Sequence, residues 1–581
     1  MSKLKRLYSF FIVLIISIPA YLSLLNNSFF SMHDDQHIAR LFLLDKGIGQ
    51  GYLFPRWVDM LGFNFGYPLF NFYPPLVYYV GEFFHLIGFS FVWSIKLTFI
   101  LGFILSAYGI FLLTKKFANR IFAFFSSVLY TYFFYHGVLI YVRGALSEFF
   151  SLAILPFVFL GIINLHEQPS LKNSVLLSIP IALLLLTHPL ISLPTIIYIF
   201  LFLAFYSIVR CINTSKHAFR FLLSGLLSLG LSAFYWIPSM LERKFTLIDN
   251  ILTTELAAYK VHFVCFQQFF TSNWGYGGSI PGCFDGLTFQ LGKTHIFILI
   301  LSVIGFLTYL FYKKKKTKHV QYYSFFLILT FFSLFMTTEA SSFIWDNISY
   351  LSYLQFPWRF LTFAGFFISV TSAYGIYLLF EGIKTKYKFK NASTIFVVLY
   401  SILTIVLVGR YFIPQNYISK SDNQLTSFEE ISWRVSRSTF EFVPKDIKTT
   451  KSELDTTIPN IQMIDTVKDR YEIINGKAEI IPVENRFMNK KFLISSDENI
   501  ELRVNTFNFP GWTAYLNGEK TIIYDSNDFK LITVKIPNGD NLLELRFEDT
   551  LVRSIANLTS IISVVAVVFF ILLFKLKKVK S

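Results

Sequence analysis

The sequence is poor in charged residues and in cysteine. Only 15% of its 581 residues are Asp, Glu, Lys or Arg, whereas soluble domains carry roughly 25%, and this excludes a cytosolic enzyme. The three cysteines contain no CxxC pair, so a disulfide-rich scaffold is excluded as well. Apolar residues are abundant instead: 54% of the chain is hydrophobic and 70 residues are Phe. This composition is typical of a polytopic membrane protein.

Long apolar segments predict how often the chain crosses the membrane. A bilayer core about 30 Å thick is spanned by about 20 apolar residues in a helix. Twelve segments meet this requirement, so we predict a mainly α-helical, polytopic bundle of about 12 transmembrane helices. The segments are 7–25, 92–114, 121–140, 147–165, 173–189, 190–209, 219–238, 295–312, 321–338, 359–380, 393–413 and 554–574.

Basic residues alternate between the connections of these helices. With the N-terminus inside, the inner connections hold 23 Lys and Arg residues against two acids, Glu167 and Glu381. Every second connection is therefore basic, as the positive-inside rule requires. We predict a plasma-membrane protein whose N- and C-termini are cytoplasmic. The net charge of +16 then reflects membrane orientation and does not indicate a nucleic-acid partner.

Three regions follow from this topology. Residues 1–413 form a multispanning membrane domain with outer loops 26–91 and 239–294, and residues 554–581 contain the last transmembrane helix and a basic cytoplasmic tail. Residues 414–553 are polar, with 22 acids and 18 bases, and stretches such as NIELRVNTF alternate with period two. We predict an extracytoplasmic, β-sandwich-like domain here, which is either a lid or spacer or a unit that binds glycan or acceptor.

Acidic residues gather on the outer side of the predicted membrane domain. Of the fourteen acids outside residues 414–553, twelve lie on or near the outer face. We therefore expect any chemistry to take place outside the cytoplasm. Nucleotide-activated donors are scarce there, so an activated donor would have to arrive attached to a lipid.

The densest polar motif, SMHDDQHIAR, follows the first predicted helix. It holds His33, Asp34, Asp35, His37 and Arg40 within eight residues. One interpretation is a general base, in which Asp34 or Asp35 takes a proton from an attacking hydroxyl. A second is a metal site, because HDDQH superficially resembles H-E-x-x-H. The third is a solvated helix cap.

Three further motifs place polar side chains at the outer ends of predicted helices. YVRGALSEFF holds Arg143 and Glu148, which are five residues apart and about 140° apart on an ideal helix, so they are not expected to pair with each other. His188 ends an apolar helix and is either a cap or a site residue. Arg359 lies in LQFPWRFL and is suited to phosphate recognition or to anchoring at the interface.

Cys265 and Cys283 share the second outer loop. In an oxidising exterior they could form a disulfide that closes the segment between them. The glycine-rich GYGG stretch inside this segment is a turn-rich loop and not a phosphate loop, because no Lys-Ser/Thr follows it.

Several strings resemble a known bacterial family. GYPLFNFYPPLVYYV, RGALSE, LQFPWRFL and TFEFVPKD resemble the multispanning membrane proteins named for a 6-pyruvoyl-tetrahydropterin-synthase-related region, and NFPGWTAYLNG resembles the periplasmic tail of related proteins. No soluble pterin-enzyme pattern accompanies that name. The layout is similar to that of GT-C glycosyltransferases, which use polyprenyl-phosphate-linked sugars. The resemblance matches Asp34 and Asp35 to their acidic motif, and the absence of a WWDYG signature weakens an oligosaccharyltransferase assignment.

These observations lead to one main hypothesis and two alternatives. The main hypothesis is a GT-C-like glycosyltransferase that moves a sugar from a polyprenyl-phosphate-linked donor to a glycan, lipid or protein acceptor. Its expected catalytic residues are Asp34, Asp35 and Glu148, with His37, Arg40, Arg143, His188 and Arg359 binding substrate. No cofactor is assigned, and a divalent cation is optional. The alternatives are a transporter or flippase of lipid-linked glycans and a non-catalytic envelope assembly protein.

Overall fold

The computed structural model describes residues 3–209, 214–252, 258–313, 318–383, 391–451, 457–459 and 469–579. Within these residues the chain is mainly α-helical, and the longer strands are confined to its C-terminal part. The helices are α1 (Lys3–Tyr21), α2 (His37–Gly49), α3 (Leu69–Phe72), α4 (Leu76–Leu86), α5 (Phe91–Thr114), α6 (Arg120–Thr131), α7 (Phe134–Gly137), α8 (Leu146–Glu167), α9 (Leu171–Thr187), α10 (Pro189–Ile208), α11 (Thr214–Leu231), α12 (Ala233–Glu242), α13 (Ile248–Leu252), α14 (Lys293–Lys313), α15 (Lys318–Thr337), α16 (Ser342–Asn347), α17 (Leu361–Ile383), α18 (Ala392–Gly409), α19 (Asp422–Leu425), α20 (Ser436–Ser438) and α21 (Leu551–Val579).

Nine of the described helices are long and apolar enough to cross a membrane, and two bent pairs raise the number to eleven. The bent pairs are Arg120–Thr131 with Phe134–Val142, at 49°, and Ser215–Leu231 with Ala233–Phe245, at 75°. The one predicted segment that is not among these eleven, 173–189, falls on α9, which is apolar but only 17 residues long. The prediction of a polytopic helical bundle is confirmed.

Helices α8 and α17 form the centre of the bundle. In each, 83% of the most apolar window is buried inside the protein, and α17 packs on α14, α15 and α6. In contrast, only 11% of the window in α21 is buried, so this helix presents most of its apolar surface outward, as a lipid-facing helix does. RGALSE leads into the first turn of α8, and LQFPWRFL leads into the first turn of α17. Both motifs therefore lie where a central, buried helix begins.

The loops that the topology prediction assigns to the outer side meet one another on one side of the bundle. Strand β1 (Phe29–Phe30) pairs antiparallel with β2 (Tyr417–Ile418), and Thr246 forms a β-bridge with Pro444. On the opposite side, Lys116 pairs with Glu167 at 2.8 Å, joining two connections predicted to be inner. This grouping supports the predicted alternation. The predicted inner basic residues at 210, 314–316, 384–390 and 580 lie outside the described residues.

The C-terminal region contains the two main β-sheets. A five-stranded antiparallel sheet has the order β10-β9-β12-β7-β6, and a three-stranded one has the order β11-β8-β5. Their apolar residues alternate inward, as in Ile500, Leu502 and Val504, which are all nearly inaccessible. The predicted β-rich region is thus confirmed. The strands are β3 (Thr449–Lys451), β4 (Thr457–Pro459), β5 (Tyr471–Asn475), β6 (Glu479–Asn485), β7 (Asn489–Ser496), β8 (Ile500–Phe507), β9 (Trp512–Leu516), β10 (Glu519–Thr521), β11 (Leu531–Ile536) and β12 (Gly539–Phe547).

Candidate active site

The RGALSE segment is a sharp break between two helical pieces. A π-helical turn, Val138–Val142, ends before Arg143, and α8 begins at Leu146. Between them Gly144 has φ +64, and a Cβ there would lie 2.1 Å from Met32 Sδ. Glycine is therefore required both by the left-handed backbone and by the close packing of the segment that precedes Asp34.

Glu148 is a buried carboxylate held by three side chains. It is 1% exposed, Tyr135 Oη donates to its Oε1 at 2.6 Å, and Arg143 Nη1 donates to its Oε2 at 2.7 Å. The expectation that Arg143 and Glu148 do not pair is wrong. It assumed one continuous helix, whereas the break at Gly144 turns Arg143 back toward the first turn of α8.

Arg359 reaches the same carboxylate from the other side of the bundle. Its Nε lies 3.4 Å from Glu148 Oε2, and its Nη1 donates to the carbonyl of Leu354 at 2.6 Å. The turn Pro357–Phe360, which precedes α17, presents this side chain inward. Arg143 and Arg359, which are more than 200 positions apart, therefore share one carboxylate. The two guanidiniums carry two positive charges and Glu148 carries one negative charge.

Aromatic rings close the cluster. The Arg143 guanidinium lies 4.6 Å from the centre of the Trp358 ring, and Trp358 stacks on Phe289 with centroids 5.7 Å apart. A cation over a tryptophan face is stabilised by the ring quadrupole. The second outer loop, which contains Phe289, thus forms a wall of the site.

Asp34 borders this cluster with an uncommitted carboxylate. Its backbone N–H donates to the carbonyl of Arg143 at 2.8 Å, and its charge lies close enough to act on Arg143, Arg359 and His37. The side chain is half-buried. Among the described residues, no hydrogen bond or ion pair engages its carboxylate.

Asp35, its neighbour, is engaged elsewhere. Arg434 Nη1 donates to Asp35 Oδ2 at 2.8 Å, and Arg434 Nε donates to Glu430 Oε1 at 2.6 Å. Asp35 therefore connects the first outer loop to the segment that follows α18. The two aspartates, adjacent in sequence, have different partners.

His37 is buried and connects α2 to the RGALSE break. Its Nε2 lies 2.5 Å from the carbonyl oxygen of Gly144 and its Nδ1 lies 3.0 Å from Tyr78 Oη. Burial and the nearby Arg40 lower the pKa of His37 to about 4, opposed by Asp34. At neutral pH the ring is therefore uncharged, with Nε2–H donating to Gly144 and Nδ1 accepting from the tyrosine.

Arg40 and His188 occupy different positions relative to the cluster. Arg40 donates to Gln36 at 2.6 Å and stacks over Tyr73, so it faces the loop and not Glu148. His188 is the N-cap of α10, accepting from the N–H of Ile191 at 3.1 Å, and its ring lies near Arg359 and Glu148. His188 thus acts as a helix cap at the border of the cluster.

Several buried donors around the cluster have no hydrogen-bond partner among the described residues. They are Ser147 Oγ, Trp358 Nε1, Arg359 Nε and Thr362 Oγ1. A buried donor left unsatisfied costs about 1–3 kcal/mol, and native structures retain few of them. Such a group of unsatisfied buried donors suits a site that binds an anionic or hydroxyl-rich ligand.

The residues present do not favour a divalent cation at Glu148. Two guanidiniums already surround this carboxylate, and they repel a second cation. Among the residues that the structure describes, no group of three or more His, Cys, Asp and Glu side chains is placed to hold a metal ion. Asp34 alone offers a free carboxylate near the cluster.

Cys265 and Cys283 are bonded to each other, with their Cα atoms 5.7 Å apart. The bond closes the loop that contains Trp274 and Tyr276. His33 Nε2 lies 2.9 Å from the carbonyl oxygen of Tyr276, so this loop packs against the acidic motif. The disulfide thereby restrains one side of the candidate site.

Sequence reasoning missed two sets of residues. Tyr135, which binds Glu148, lies in an aromatic run whose sequence has no polar pattern to mark it. A second buried ion pair joins Glu242 to Arg553 at 2.9 Å, across 311 positions. In the sequence, Arg553 immediately precedes the predicted apolar segment 554–574. A basic residue in that position predicts only anchoring at the membrane interface.

The chain belongs to the 6-pyruvoyl-tetrahydropterin-synthase-related family of membrane proteins. The family model, described as a 6-pyruvoyl-tetrahydropterin synthase related domain and a membrane protein, matches residues 70–418, which is more than half of the chain. The resemblance inferred from the sequence is thus confirmed. The matched region includes RGALSE and LQFPWRFL. No curated protein matches the chain.

Solved structures show distant likenesses. The apo oligosaccharyltransferase of Archaeoglobus fulgidus is 14% identical with a TM-score of 0.45, covering 72% of this chain and 57% of its own. Arabinofuranosyltransferase AftD from Mycobacteria is 11% identical with a TM-score of 0.44, over 72% and 28%. ArnT from Cupriavidus metallidurans, bound to undecaprenyl phosphate, is 9% identical with a TM-score of 0.28, over 71% and 90%. The chain thus spans little more than half of the first of these and under a third of the second. At these TM-scores, none of them determines the activity of this chain.

Proposed function

We propose that this protein is a membrane glycosyltransferase that moves a sugar from a polyprenyl-phosphate-linked donor to an acceptor on the extracytoplasmic side of the plasma membrane. The observation that carries the proposal is the juxtaposition of one uncommitted carboxylate, Asp34, with the buried Arg143–Glu148–Arg359 cluster. Glycosyl transfer requires these two elements: a base for the acceptor and cations for the leaving phosphate.

Asp34 is the proposed base. Its carboxylate removes the proton of an acceptor hydroxyl while that oxygen attacks the anomeric carbon of the donor sugar. The bond between the anomeric carbon and the phosphate oxygen breaks, and its electron pair leaves with the phosphate. Attack opposite to the leaving group inverts the anomeric configuration. Because Asp35 is paired with Arg434, Asp34 is the better of the two candidates.

Arg143 and Arg359 are the proposed phosphate ligands. Arg143 uses only Nη1 on Glu148 and Tyr135, and Arg359 uses only Nη1 on backbone and Gln355. Their remaining donors face no acceptor among the described residues except the Glu148 carboxylate. Glu148 holds both guanidiniums at fixed positions, so donors are preorganised for the charge that develops on the leaving phosphate.

The position of the cluster fits a lipid-linked donor. It lies at the first turns of α8 and α17. Both helices begin on the side that carries the long loops and the β-sheets. In this proposal the phosphate of the lipid-linked donor binds at these helix starts, while an acceptor approaches from the loop side. The orientation of that side toward the exterior rests on the basic residues of the opposite connections.

The test compares Asp34→Asn with its matched neighbour Asp35→Asn. Purified full-length protein in liposomes receives a panel of polyprenyl-phosphate-linked hexoses and pentoses, and the release of polyprenyl phosphate is measured per folded protein. We expect Asp34→Asn to lower the rate about 10²–10⁴-fold, the usual contribution of a general base. Asp35→Asn is expected to keep most of the rate and to lose only the ion pair with Arg434.

Two results would contradict the proposal. Retained transfer in Asp34→Asn removes Asp34 as the base. Movement of the lipid-linked sugar across the bilayer by the wild-type protein, without release of polyprenyl phosphate from any donor of the panel, favours a transporter instead.

A further inference from the structure

A separate cavity of about 440 Å³ lies where α14 begins and α18 ends, near the candidate site. It is bounded by the outer ends of α14 and α18 and by the disulfide-closed loop. Its polar lining includes Lys293, Arg410, Asn273, Gln290, Trp274 and Tyr411. None of its described lining residues is Asp or Glu, so the cavity is positively charged without compensation from within.

The cations of this cavity are available to a ligand. The ammonium of Lys293, an exposed side chain, makes no hydrogen bond or ion pair among the described residues. Arg410 donates from Nη2 to Tyr411 Oη at 2.9 Å and stacks over the same ring, and has no carboxylate partner in the described part of the chain. The indole N–H of Trp274 is buried and finds no acceptor in the described ranges. Two cations that have no carboxylate partner among the described residues therefore border one volume, next to a buried indole N–H.

An apolar surface continues below the cavity. Lys293 begins one candidate membrane span and Gly409 ends another, and the two helices touch where Phe297 stacks on Tyr400. Phe297, Leu403 and Leu407 are 58%, 45% and 43% exposed and follow these helices toward the membrane centre. Such a surface suits acyl chains, whereas a free anion needs none of it.

We infer that this cavity binds the phosphate of an anionic lipid, with the acyl chains lying against α14 and α18. None of the residues that line this cavity belongs to the Arg143–Glu148–Arg359 cluster. We therefore assign the bound lipid as an additional molecule beside the proposed sugar donor. This inference does not rest on the proposed transfer reaction, because it concerns binding alone.

The experiment uses two lipids that differ only by the phosphate. Full-length protein purified in a neutral detergent is titrated with dioleoyl phosphatidate or with dioleoylglycerol, and the bound fraction is measured by native mass spectrometry. A third titration uses inorganic phosphate as competitor. We expect phosphatidate to bind at least about tenfold more tightly than dioleoylglycerol, since one charge-assisted contact is worth about 1.4 kcal/mol or more.

Variants locate the phosphate. Lys293→Gln combined with Arg410→Gln is expected to weaken phosphatidate binding at least about tenfold. Lys260→Gln is the matched control, because Lys260 lies on the same face but pairs with Asp346 at 3.4 Å outside the cavity, and it is expected to bind as the wild type does. Trp274→Phe keeps an aromatic side chain and removes the indole N–H, so it provides a milder variant should the double variant fold poorly.

Three outcomes would overturn the inference. Unchanged binding in the cavity variants places the lipid elsewhere. An equal loss in Lys260→Gln means that the effect is non-specific surface attraction. Displacement of phosphatidate by inorganic phosphate at a similar concentration shows that the cavity takes a free anion and not a lipid.

Discussion

Glu148 and Glu242 are both buried beside arginine, yet their surroundings differ in how completely the polar groups are satisfied. At Glu242, which is 3% exposed, Oε1 accepts from Thr550 and Oε2 accepts from Asn71 and from two nitrogens of Arg553. The remaining nitrogen of Arg553 donates to the carbonyl of Glu548, and its Nη2 donates also to Pro510. Every charged atom of this pair has a partner.

At Glu148, in contrast, the carboxylate is satisfied but the groups around it are not. Within the part of the chain that the structure describes, Arg359 Nε and the buried donors of Ser147, Trp358 and Thr362 have no hydrogen-bond acceptor, and the Asp34 carboxylate has no partner. We interpret the Glu242 site as a structural connection between α12 and the start of α21, and the Glu148 site as one completed by a ligand. The two sites also differ in arrangement, since Glu242 binds two nitrogens of one arginine and Glu148 is shared by two arginines.

The largest expected effect comes from removing the negative charge at each site. Glu242→Gln leaves Arg553, which is fully buried, without its counter-charge, so we expect a loss of about 3–5 kcal/mol in the free energy of unfolding. Glu148→Gln leaves Arg143 and Arg359 beside Asp34, whose charge compensates one of them, so its loss of stability is smaller while transfer activity falls. Thermal unfolding in detergent and the transfer assay measure the two effects.

A control for this pair is the double variant Glu242→Gln with Arg553→Met. Because apolar replacement of a whole buried pair is often tolerated, we expect it to recover part of the lost stability. Equal loss of stability in Glu242→Gln and Glu148→Gln, with transfer unaffected, would show that both sites are structural.

A second, smaller contrast uses two threonines. Thr550→Val removes the donor to Glu242 and is expected to cost about 2 kcal/mol, the worth of a hydrogen bond to a charged group. Thr362→Val removes a buried hydroxyl that has no partner, so stability should stay the same or rise, whereas the KM for the donor should increase. If Thr362→Val destabilises as much as Thr550→Val, the Thr362 hydroxyl is satisfied in the protein and the contrast is wrong.

The smallest expected effect concerns pH. The folded protein lowers the pKa of His37 from 6.5 to about 4, so the unfolded chain binds the proton more readily between these values. The stabilisation that the folded protein gains from keeping His37 uncharged is complete above about pH 6.5. It is lost as pH falls toward 4, by on the order of 1 kcal/mol at pH 5.5. His37→Gln should reduce the dependence of the unfolding midpoint on pH in this interval. A variant with the same pH dependence as the wild type would show that His37 does not cause it.

The sequence allowed much of the architecture to be predicted. Each of the twelve apolar segments falls on a helix or a bent helix pair, because burying backbone amides in lipid leaves the helix as the main option. The β-rich region was recognisable from the period-two alternation of NIELRVNTF and FKLITVKI. The bend at Tyr132 and Phe133 could not be predicted, since the aromatic run there is equally apolar on both sides of it.

The candidate site was predictable only in part. Asp34, Glu148, Arg143 and Arg359 stood out as ionisable residues at helix ends, where an uncompensated charge is costly. That Asp35 pairs with Arg434, 399 positions away, left no local signal. The same holds for Tyr135, since a tyrosine among apolar residues is as suited to lipid contact as to a carboxylate.

Composition and periodicity by themselves determined that this chain is a multispanning membrane protein with a polar β-rich region, because lipid and water impose one-dimensional patterns on hydrophobicity. The tertiary structure decided which charges meet. Opposite charges attract across short distances whatever their separation along the chain. The break at Gly144 places Arg143 on Glu148, and the packing of α8 against the start of α17 adds Arg359.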